Sequence, residues 1–196
     1  MINIPALQTR LDVTPDGQLG PRTLTALFAH FGAKPAIAEE LAIGANKAFR
    51  DFFILDSGLR LAHFMGQCAH ESGGFHYMEE IASGAAYEGR ADLGNTQRGD
   101  GKRFKGRGPI QLTGRSNYTA YGKALNLDFI ADPAMVAKPR IGITVAARYW
   151  FVRGLNAYAD ADDVRSITKR VNGGYNGLED RVKLTNKAKA LILDDV

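Results

Sequence analysis

Two short stretches, HESGGF at residues 70–75 and GRGPIQLT at residues 106–113, decide how this chain is interpreted. Apolar residues recur at helical spacing before the first stretch and predict a helix over residues 59–70. A serine and two glycines then end that helix, so we expect Glu71 in its last turn. Its carboxyl group would lie beside glycines that leave room for a long polymer to approach the backbone.

Helical patterns dominate the rest of the chain. The further predicted helices cover residues 36–53, 117–125, 140–153, 162–171 and 179–193. Strand signals are few and are limited to Arg107–Leu112, with a partner near Ala85–Arg90. We therefore expect a mainly α-helical fold with at most a small β-hairpin.

Residues 82–108 form the longest irregular stretch and are rich in Gly, Asp, Arg and Lys. Loops of this length inside a compact domain are usually functional or disordered. Because the stretch separates the two opening motifs, we interpret it as part of a binding cleft.

Residues 1–34 predict a helix, a turn at Pro15-Asp16-Gly17 and a second helix. The segment from Leu7 to Thr23 resembles the central part of the small peptidoglycan-binding repeats of bacterial wall hydrolases and covers about half of such a repeat. The alternative is a helical hairpin packed on the main domain. We assign residues 35–196 to a catalytic domain.

The composition indicates a globular protein that needs no disulfides to fold. The chain has 196 residues, is 45% hydrophobic and contains one cysteine, Cys68, which we expect to be a buried thiol. No signal peptide and no membrane-spanning run is evident, so we expect synthesis in the bacterial cytoplasm. The net charge of +4 favours a polyanionic partner such as the cell wall. Nucleic acid is not expected, because aromatic and basic residues do not alternate along one face.

Glu71 is the candidate acid for cleavage of a glycosidic bond. Such cleavage needs one carboxyl group to protonate the leaving oxygen and, on the inverting route, a second one roughly 6.5–9.5 Å away to activate water. The helix macrodipole disfavours a negative charge at the C-terminal end of a helix, and so favours the protonated carboxyl group that an acid catalyst needs. The alternative is an ordinary solvated residue at a helix end.

Several carboxylates could be the second group: Glu79, Glu80, Glu88, Asp92 and Asp100. We favour Glu88, which lies among small and cationic residues at the start of the irregular stretch. Glu80 is the rival, although it could instead pair with Lys102 or Arg103 and hold the loop.

Polar side chains near the second motif are candidate ligands for a sugar or a water molecule. If Arg107–Leu112 is extended, Gln111 and Thr113 share one face, and Asn117 follows four residues later. Thr113 could instead cap the helix that begins near Arg115. Asn172, in the glycine-rich loop NGGYNG, could cap a helix or reach the cleft.

Neither a metal nor a cofactor is expected. The four histidines show no zinc-binding spacing, and the glycine-rich stretches lack the phosphate-loop and dinucleotide-binding patterns. A Gly-x-Ser-x-Gly nucleophile motif is also missing.

Taken together, four motifs resemble glycoside hydrolase family 19, in the branch of phage endolysins and chitinase-like lysozymes. The motifs are HESGGF at 70–75, YEGR at 87–90, GRGPIQLTGRSNY at 106–118 and VNGG at 171–174. They occur in the family's order and cover about residues 36–193.

The resemblance implies a two-lobed, lysozyme-like helical fold and an inverting mechanism without a cofactor. It makes Glu71 the general acid and leaves Glu88 or Glu80 as the base. Thr113 stands where plant chitinases have a serine that helps hold the attacking water. The implied substrate-binding residues are Gln111, Asn117, Asn172, Tyr87 and Arg181, the last also a supporting cation.

The predicted function is that of an endolysin that hydrolyses the β-1,4 bond between N-acetylmuramic acid and N-acetylglucosamine in peptidoglycan. We expect a monomer that acts on the wall in the periplasm, does not insert into the membrane, and depends on a separate pore-forming protein for release. The alternatives are a chitinase, a lytic transglycosylase and a non-catalytic wall-binding protein.

Overall fold

The computed structural model describes residues 2–194. Its α-helices are α1 (Ile4–Arg10), α2 (Pro21–His30), α3 (Pro35–Asp51), α4 (Gly58–Glu71), α5 (Asp100–Arg103), α6 (Arg115–Leu125), α7 (Pro139–Val152), α8 (Leu155–Asp160), α9 (Val164–Asn172) and α10 (Leu178–Ile192). The prediction of a mainly helical fold is confirmed. Of the helices within residues 2–194, none is both long and apolar enough to cross a membrane.

The larger of two hydrophobic cores surrounds α4. This helix packs along α10, while α3 packs against both α2 and α7. A Cβ atom on Gly66 of α4 would lie 2.8 Å from the Cα atom of Thr185 on α10. A Cβ atom on Gly44 of α3 would lie 2.2 Å from the carbonyl oxygen of Arg140 on α7. These glycines allow close helix contacts, which fix the direction of α4 and therefore the position of Glu71.

A second, smaller core lies beside the first. Its buried members are Phe104, Leu112, Tyr118, Phe129, Val136 and Val145. Helix α7 connects the two cores, because Val145 belongs to the small core and Ala146 to the large one. The molecule therefore has two lobes that meet along α7.

Arg107–Leu112 is a tight turn rather than the predicted strand. Arg107 and Leu112 exchange two backbone hydrogen bonds, of 2.8 and 3.1 Å, across the turn. Gly108 and Gln111 have φ values of +78° and +53°, which an extended strand does not contain. Glycine followed by proline favours such a turn and outweighs the apolar pattern of the segment.

The predicted partner strand near Ala85–Arg90 is also wrong. Residues Ala85–Tyr87 form a short 3₁₀ helix. Arg107 instead makes an isolated antiparallel bridge with Glu79. Within the described residues, isolated β-bridges at Arg107 therefore stand in place of the expected hairpin.

The N-terminal segment forms the predicted helix, turn and helix. Leu7 and Phe28 are fully buried in the larger core, and α2 packs along α3. The side chain of Gln8 holds the turn, because it donates to Asp16 Oδ1 at 2.6 Å and accepts from the Gly17 N–H at 2.9 Å. The residues that resemble a wall-binding repeat therefore stabilise a hairpin that shares the core of the main domain.

Candidate active site

Glu71 is the last residue of α4, as predicted, and its carboxylate faces a buried arginine. Arg181 Nη2 donates to Glu71 Oε1 at 2.5 Å, and Arg181 Nη1 donates to Gln67 Oε1 at 2.6 Å. The Arg181 side chain is 2% exposed, whereas that of Glu71 is 21% exposed. Arg181 therefore holds Glu71 from inside the helical lobe, and its role as a supporting cation stays a prediction. Its burial does not suit direct contact with a substrate.

The two glycines after Glu71 serve the turn that follows α4. Gly73 and Gly74 have φ values of +57° and +72°. A Cβ atom on Gly74 would lie 2.9 Å from the carbonyl oxygen of Phe31. Gly74 is thus required by backbone packing, a reason different from the polymer access expected from the sequence.

Glu80 lies on the smaller lobe and is held by neutral donors. Its carboxylate accepts from the Tyr87 hydroxyl and from the Gly106 N–H, each at 3.1 Å. A Cβ atom on Gly106 would lie 2.7 Å from Gln111 Oε1 and 3.3 Å from Glu80 Oε2. Gly106 therefore brings Glu80 and Gln111 to the same place.

The basic residues near Glu80 leave its carboxylate without an ion pair. Lys105 Nζ lies 3.4 Å and Arg107 Nε 2.9 Å from Glu79 Oε1. Lys105 Nζ donates to the backbone carbonyl oxygen of Glu80, at 3.0 Å, and not to the Glu80 carboxylate. Glu79, and not Glu80, therefore makes the ion pairs with the basic residues of this loop.

Glu88 is engaged within its own loop. Its two carboxylate oxygens accept from the Gly99 N–H at 2.6 Å and from the Gly101 N–H at 2.9 Å. These backbone hydrogen bonds lower the pKa of Glu88. Both oxygens are therefore used to close the loop at residues 88–101.

A pocket at the junction of the two lobes collects three of the predicted residues. Gln111, Thr113 and Asn117 line it from the smaller lobe, and Tyr149 of α7 and Arg153, directly after α7, line it from the other side. The pocket has about 640 Å³ of empty space, including the part open to solvent.

Two of these three residues make hydrogen bonds to the backbone beside the pocket. Thr113 Oγ1 donates to the Gln111 carbonyl oxygen at 2.9 Å, and Asn117 Nδ2 donates to the Thr113 carbonyl oxygen at 2.7 Å. The cap of α6 is Gly114 and makes no side-chain cap hydrogen bond. Thr113 therefore does not cap α6, and its oxygen keeps lone pairs free to accept a hydrogen bond.

Two further predicted residues lie around this site with different contacts. Tyr87 is committed to Glu80 through its hydroxyl. Asn172 is exposed at the end of α9, and its amide donates to the Asn176 carbonyl oxygen at 3.4 Å. That carbonyl also accepts from Arg181 Nε at 3.2 Å. Asn172 thus stabilises the loop behind Glu71.

Sequence reasoning missed three residues of the site: Gln67, Tyr149 and Arg153. Gln67 lies one helical turn before Glu71 and is a buried polar residue on a mostly apolar helix, which is a usable signal. Burial raises the pKa of Tyr149, and the nearby charge of Glu71 adds to this effect. Tyr149 lines the pocket beside Arg153, but its Tyr-Trp-Phe run indicates only an apolar helix.

Among residues 2–194, no three His, Cys, Asp or Glu side chains are grouped closely enough to hold a metal ion. The chemistry that this arrangement offers is that of two carboxyl groups and neutral hydrogen-bonding side chains.

A family model described as Chitinase class I matches residues 56–167, more than half of the chain. The chain belongs to glycoside hydrolase family 19. The matched residues include Glu71, Glu80, Glu88 and the turn at residues 107–112. Members of this family hydrolyse glycosidic bonds.

Relatives of known sequence agree with this assignment. A glycosyl hydrolase family 19 domain-containing protein of Haemophilus influenzae is 31% identical over 70% of this chain and 80% of its own. Endochitinase At2g43620 of Arabidopsis thaliana is 35% identical over 72% of this chain and 49% of its own. The chain thus spans about half the length of this plant enzyme.

Chitinase C of Streptomyces griseus shows the same fold in its crystal structure. The TM-score is 0.66 at 22% identity, over 89% of this chain and 94% of that one. This confirms the predicted lysozyme-like fold of family 19 chitinases.

Proposed function

We propose that this glycoside hydrolase cleaves the β-1,4 bond after N-acetylmuramic acid in peptidoglycan, with Glu71 as the acid and Glu80 as the base. The observation that carries the proposal is the pocket between the lobes. Gln111 lines it, and Glu80 lies beside Gln111 at Gly106. Glu71 lies at the end of α4, on the other lobe. Two carboxyl groups on opposite lobes of a cleft suit the inverting reaction.

Glu80 is preferred to Glu88 because of what each carboxylate contacts. Glu80 accepts from two neutral donors, the Tyr87 hydroxyl and the Gly106 N–H, and lies beside the pocket residue Gln111. Both oxygens of Glu88 already bind backbone N–H groups of the loop. The proposed base is therefore the rival of the residue that the sequence favoured.

In the proposed reaction, protonated Glu71 donates its proton to the glycosidic oxygen as the bond to the anomeric carbon breaks. Glu80 accepts a proton from a water molecule, whose oxygen forms the new bond to that carbon. The free lone pairs of Thr113 Oγ1 accept the water's other hydrogen. Arg181 stabilises the carboxylate that remains on Glu71 after proton donation.

Peptidoglycan is proposed as the substrate because of charge and the N-terminal segment. The chain carries a net charge of +4 and a sequence pI of about 9.2, which favour an anionic wall. Residues 7–23 resemble part of a wall-binding repeat. Chitin is the second candidate, favoured by the endochitinase name of the plant relative.

Mass spectrometry of digested substrates tests the proposal. Purified protein should release fragments with a reducing muramic acid from bacterial sacculi. It should release no oligosaccharides from chitin. Release of oligosaccharides from chitin alone would replace the proposal with a chitinase. Products ending in 1,6-anhydro-muramic acid would establish a lytic transglycosylase, and binding to sacculi without cleavage would establish a wall-binding protein.

A role as an endolysin, release through a pore-forming protein, action in the periplasm and a monomeric state stay predictions. Lysis of cells that express this chain together with a pore-forming protein, but not of cells that express either one alone, would support the first two.

A further inference from the structure

Three arginines where α7, α8 and α9 meet are each stacked on a tyrosine ring. The pairs are Arg153 on Tyr149, Arg165 on Tyr175 and Arg170 on Tyr158, with the guanidinium carbon 4.7, 4.2 and 4.5 Å from the ring centroid. Within residues 2–194 none of the three lies within 4 Å of a carboxylate, whereas Arg60, Arg115 and Arg181 do. These three cations are therefore held in place without being neutralised.

Arg153 is the member of this group that lines the pocket. It shares the pocket wall with Thr113 and Asn117. Its Nη1 donates to the Arg170 carbonyl oxygen at 3.4 Å. Within residues 2–194, Nε and Nη2 have no hydrogen-bond acceptor, so the edge of the guanidinium that these two nitrogens form is free to bind a ligand.

Arg170 extends the same charge along the surface. Its guanidinium stacks on Tyr158 and donates to that residue's hydroxyl, while its backbone oxygen holds Arg153. Because both side chains are ordered before binding, little conformational entropy is lost when an anion arrives. A planar guanidinium is well suited to bind a carboxylate with two hydrogen bonds.

We propose that Arg153, supported by Arg170, binds a carboxylate of the glycan strand in the cleft and gives the enzyme its preference for an anionic over a neutral polymer. Chitin carries no carboxylate, whereas peptidoglycan carries carboxylates on its peptide stems and, where a stem is removed, on the lactyl group of muramic acid. The inference rests on the proposed function and names the group that this site recognises.

The test measures cleavage of soluble uncrosslinked peptidoglycan before and after its carboxyl groups are converted to neutral methylamides. Arg153→Gln should raise KM for native strands about five-fold, as expected for one solvent-accessible ion pair, and should leave kcat unchanged. On the methylamide substrate the variant and the wild type should have the same KM. Arg153→Lys should recover part of the loss, and added salt should reduce the difference.

Arg140→Gln is the matched control. Arg140 is exposed near the start of α7, the helix that Arg153 follows, but borders a different groove with Gly44 and Thr144. This variant removes the same charge from the protein and should leave KM unchanged on both substrates. Strands stripped of peptides by an amidase locate the carboxylate: a persisting effect assigns it to the lactyl group, and a lost effect assigns it to the stem.

The outcomes separate this inference from the proposed function. If the wild type cleaves native strands and Arg153→Gln has an unchanged KM, the inference fails while the function stands. An equal loss on native and methylamide strands would also overturn it, because charge recognition would then not be involved. If the wild type cleaves chitin and leaves peptidoglycan intact, the proposed function fails and the inference fails with it.

Discussion

Glu71 and Glu80 lie on different lobes and are held in different ways. The helical lobe holds Glu71 through an ion pair with buried Arg181, whereas the smaller lobe holds Glu80 through a tyrosine hydroxyl and a backbone N–H. The proposed mechanism needs a Glu80 that takes a proton from water and a Glu71 that gives a proton to the leaving oxygen.

In the proposed mechanism, a glycan bound in the cleft would remove water from Glu71, and desolvation favours a protonated carboxyl group. Arg181 would then stabilise the negative charge that develops on Glu71 as the proton leaves.

The largest effect is expected from Glu71→Gln. Glutamine keeps an oxygen for Arg181 but has no proton to donate, so kcat should fall about 10³-fold, within the usual range for general acid catalysis. Turbidity loss of sacculi measures the rate, and circular dichroism checks the fold. Wild-type turnover in this variant would remove Glu71 from the mechanism.

Glu80→Gln and Glu88→Gln separate the two candidate bases. Loss of the base should lower kcat about 10²-fold, and we expect that loss for Glu80→Gln alone. Glu88→Gln should keep kcat within about two-fold, since removal of a loop contact does not alter proton transfer. It should instead lower the midpoint of thermal unfolding, because one of two backbone N–H groups loses its charged acceptor.

The reverse pattern would restore the preference based on sequence. In that case the hydrogen bonds from Gly99 and Gly101 would have to be broken when substrate binds. Unfolding of both variants should be measured at the same pH, so that a loss of structure is not mistaken for a loss of catalysis.

The sequence could predict the helices but not the contacts that separate these candidates. Amphipathic periodicity defines α4 and places Glu71 at its end, because local spacing determines which face is buried. The partners of Glu80 and Glu88 come from backbone N–H groups up to 26 residues away. Such contacts depend on tertiary packing and leave no periodic pattern.

The turn at residues 107–112 shows the same limit. Its apolar residues suggest a strand, but the conformation is set by Gly108 and by the positive φ of Gln111. Gln111 reaches the pocket because of that turn, and not through the alternation assumed for a strand. The candidate residues were therefore predicted, while the geometry that brings them together was not.

Arg181→Met tests whether the helical lobe depends on its buried ion pair. Loss of the cation leaves Gln67 and Glu71 without their shared donor, which should destabilise the fold by about 2–4 kcal/mol. The kcat value should fall about ten-fold, because the charge on Glu71 is no longer stabilised. Urea unfolding and turnover below the unfolding transition measure the two effects.

Arg181→Lys is the control for charge alone. Lysine keeps the positive charge but cannot reach Gln67, Glu71 and the Asn176 carbonyl together. An intermediate loss in both measurements would fit the proposed bridge. Full activity in Arg181→Met would show that Glu71 needs no cation.

The smallest effect concerns the stability of the helical lobe against pH. His63, on α4 two turns before Glu71, is fully buried, and its Nε2 lies 2.7 Å from Asp162 Oδ1. Among residues 2–194 its Nδ1 has no hydrogen-bond partner. Burial lowers the pKa of His63 below its usual value of about 6.5. The unfolded chain therefore binds a proton more readily than the folded one as the pH falls below that value.

Stability is then complete above about pH 6.5 and declines by up to about 1.4 kcal/mol per pH unit as the pH falls towards the folded pKa. His63→Gln keeps a donor for Asp162 but cannot titrate, so the difference in unfolding free energy between pH 7 and pH 5.5 should shrink. Urea titrations at the two pH values measure it. An unchanged difference would mean that groups other than His63 cause the loss of stability in acid.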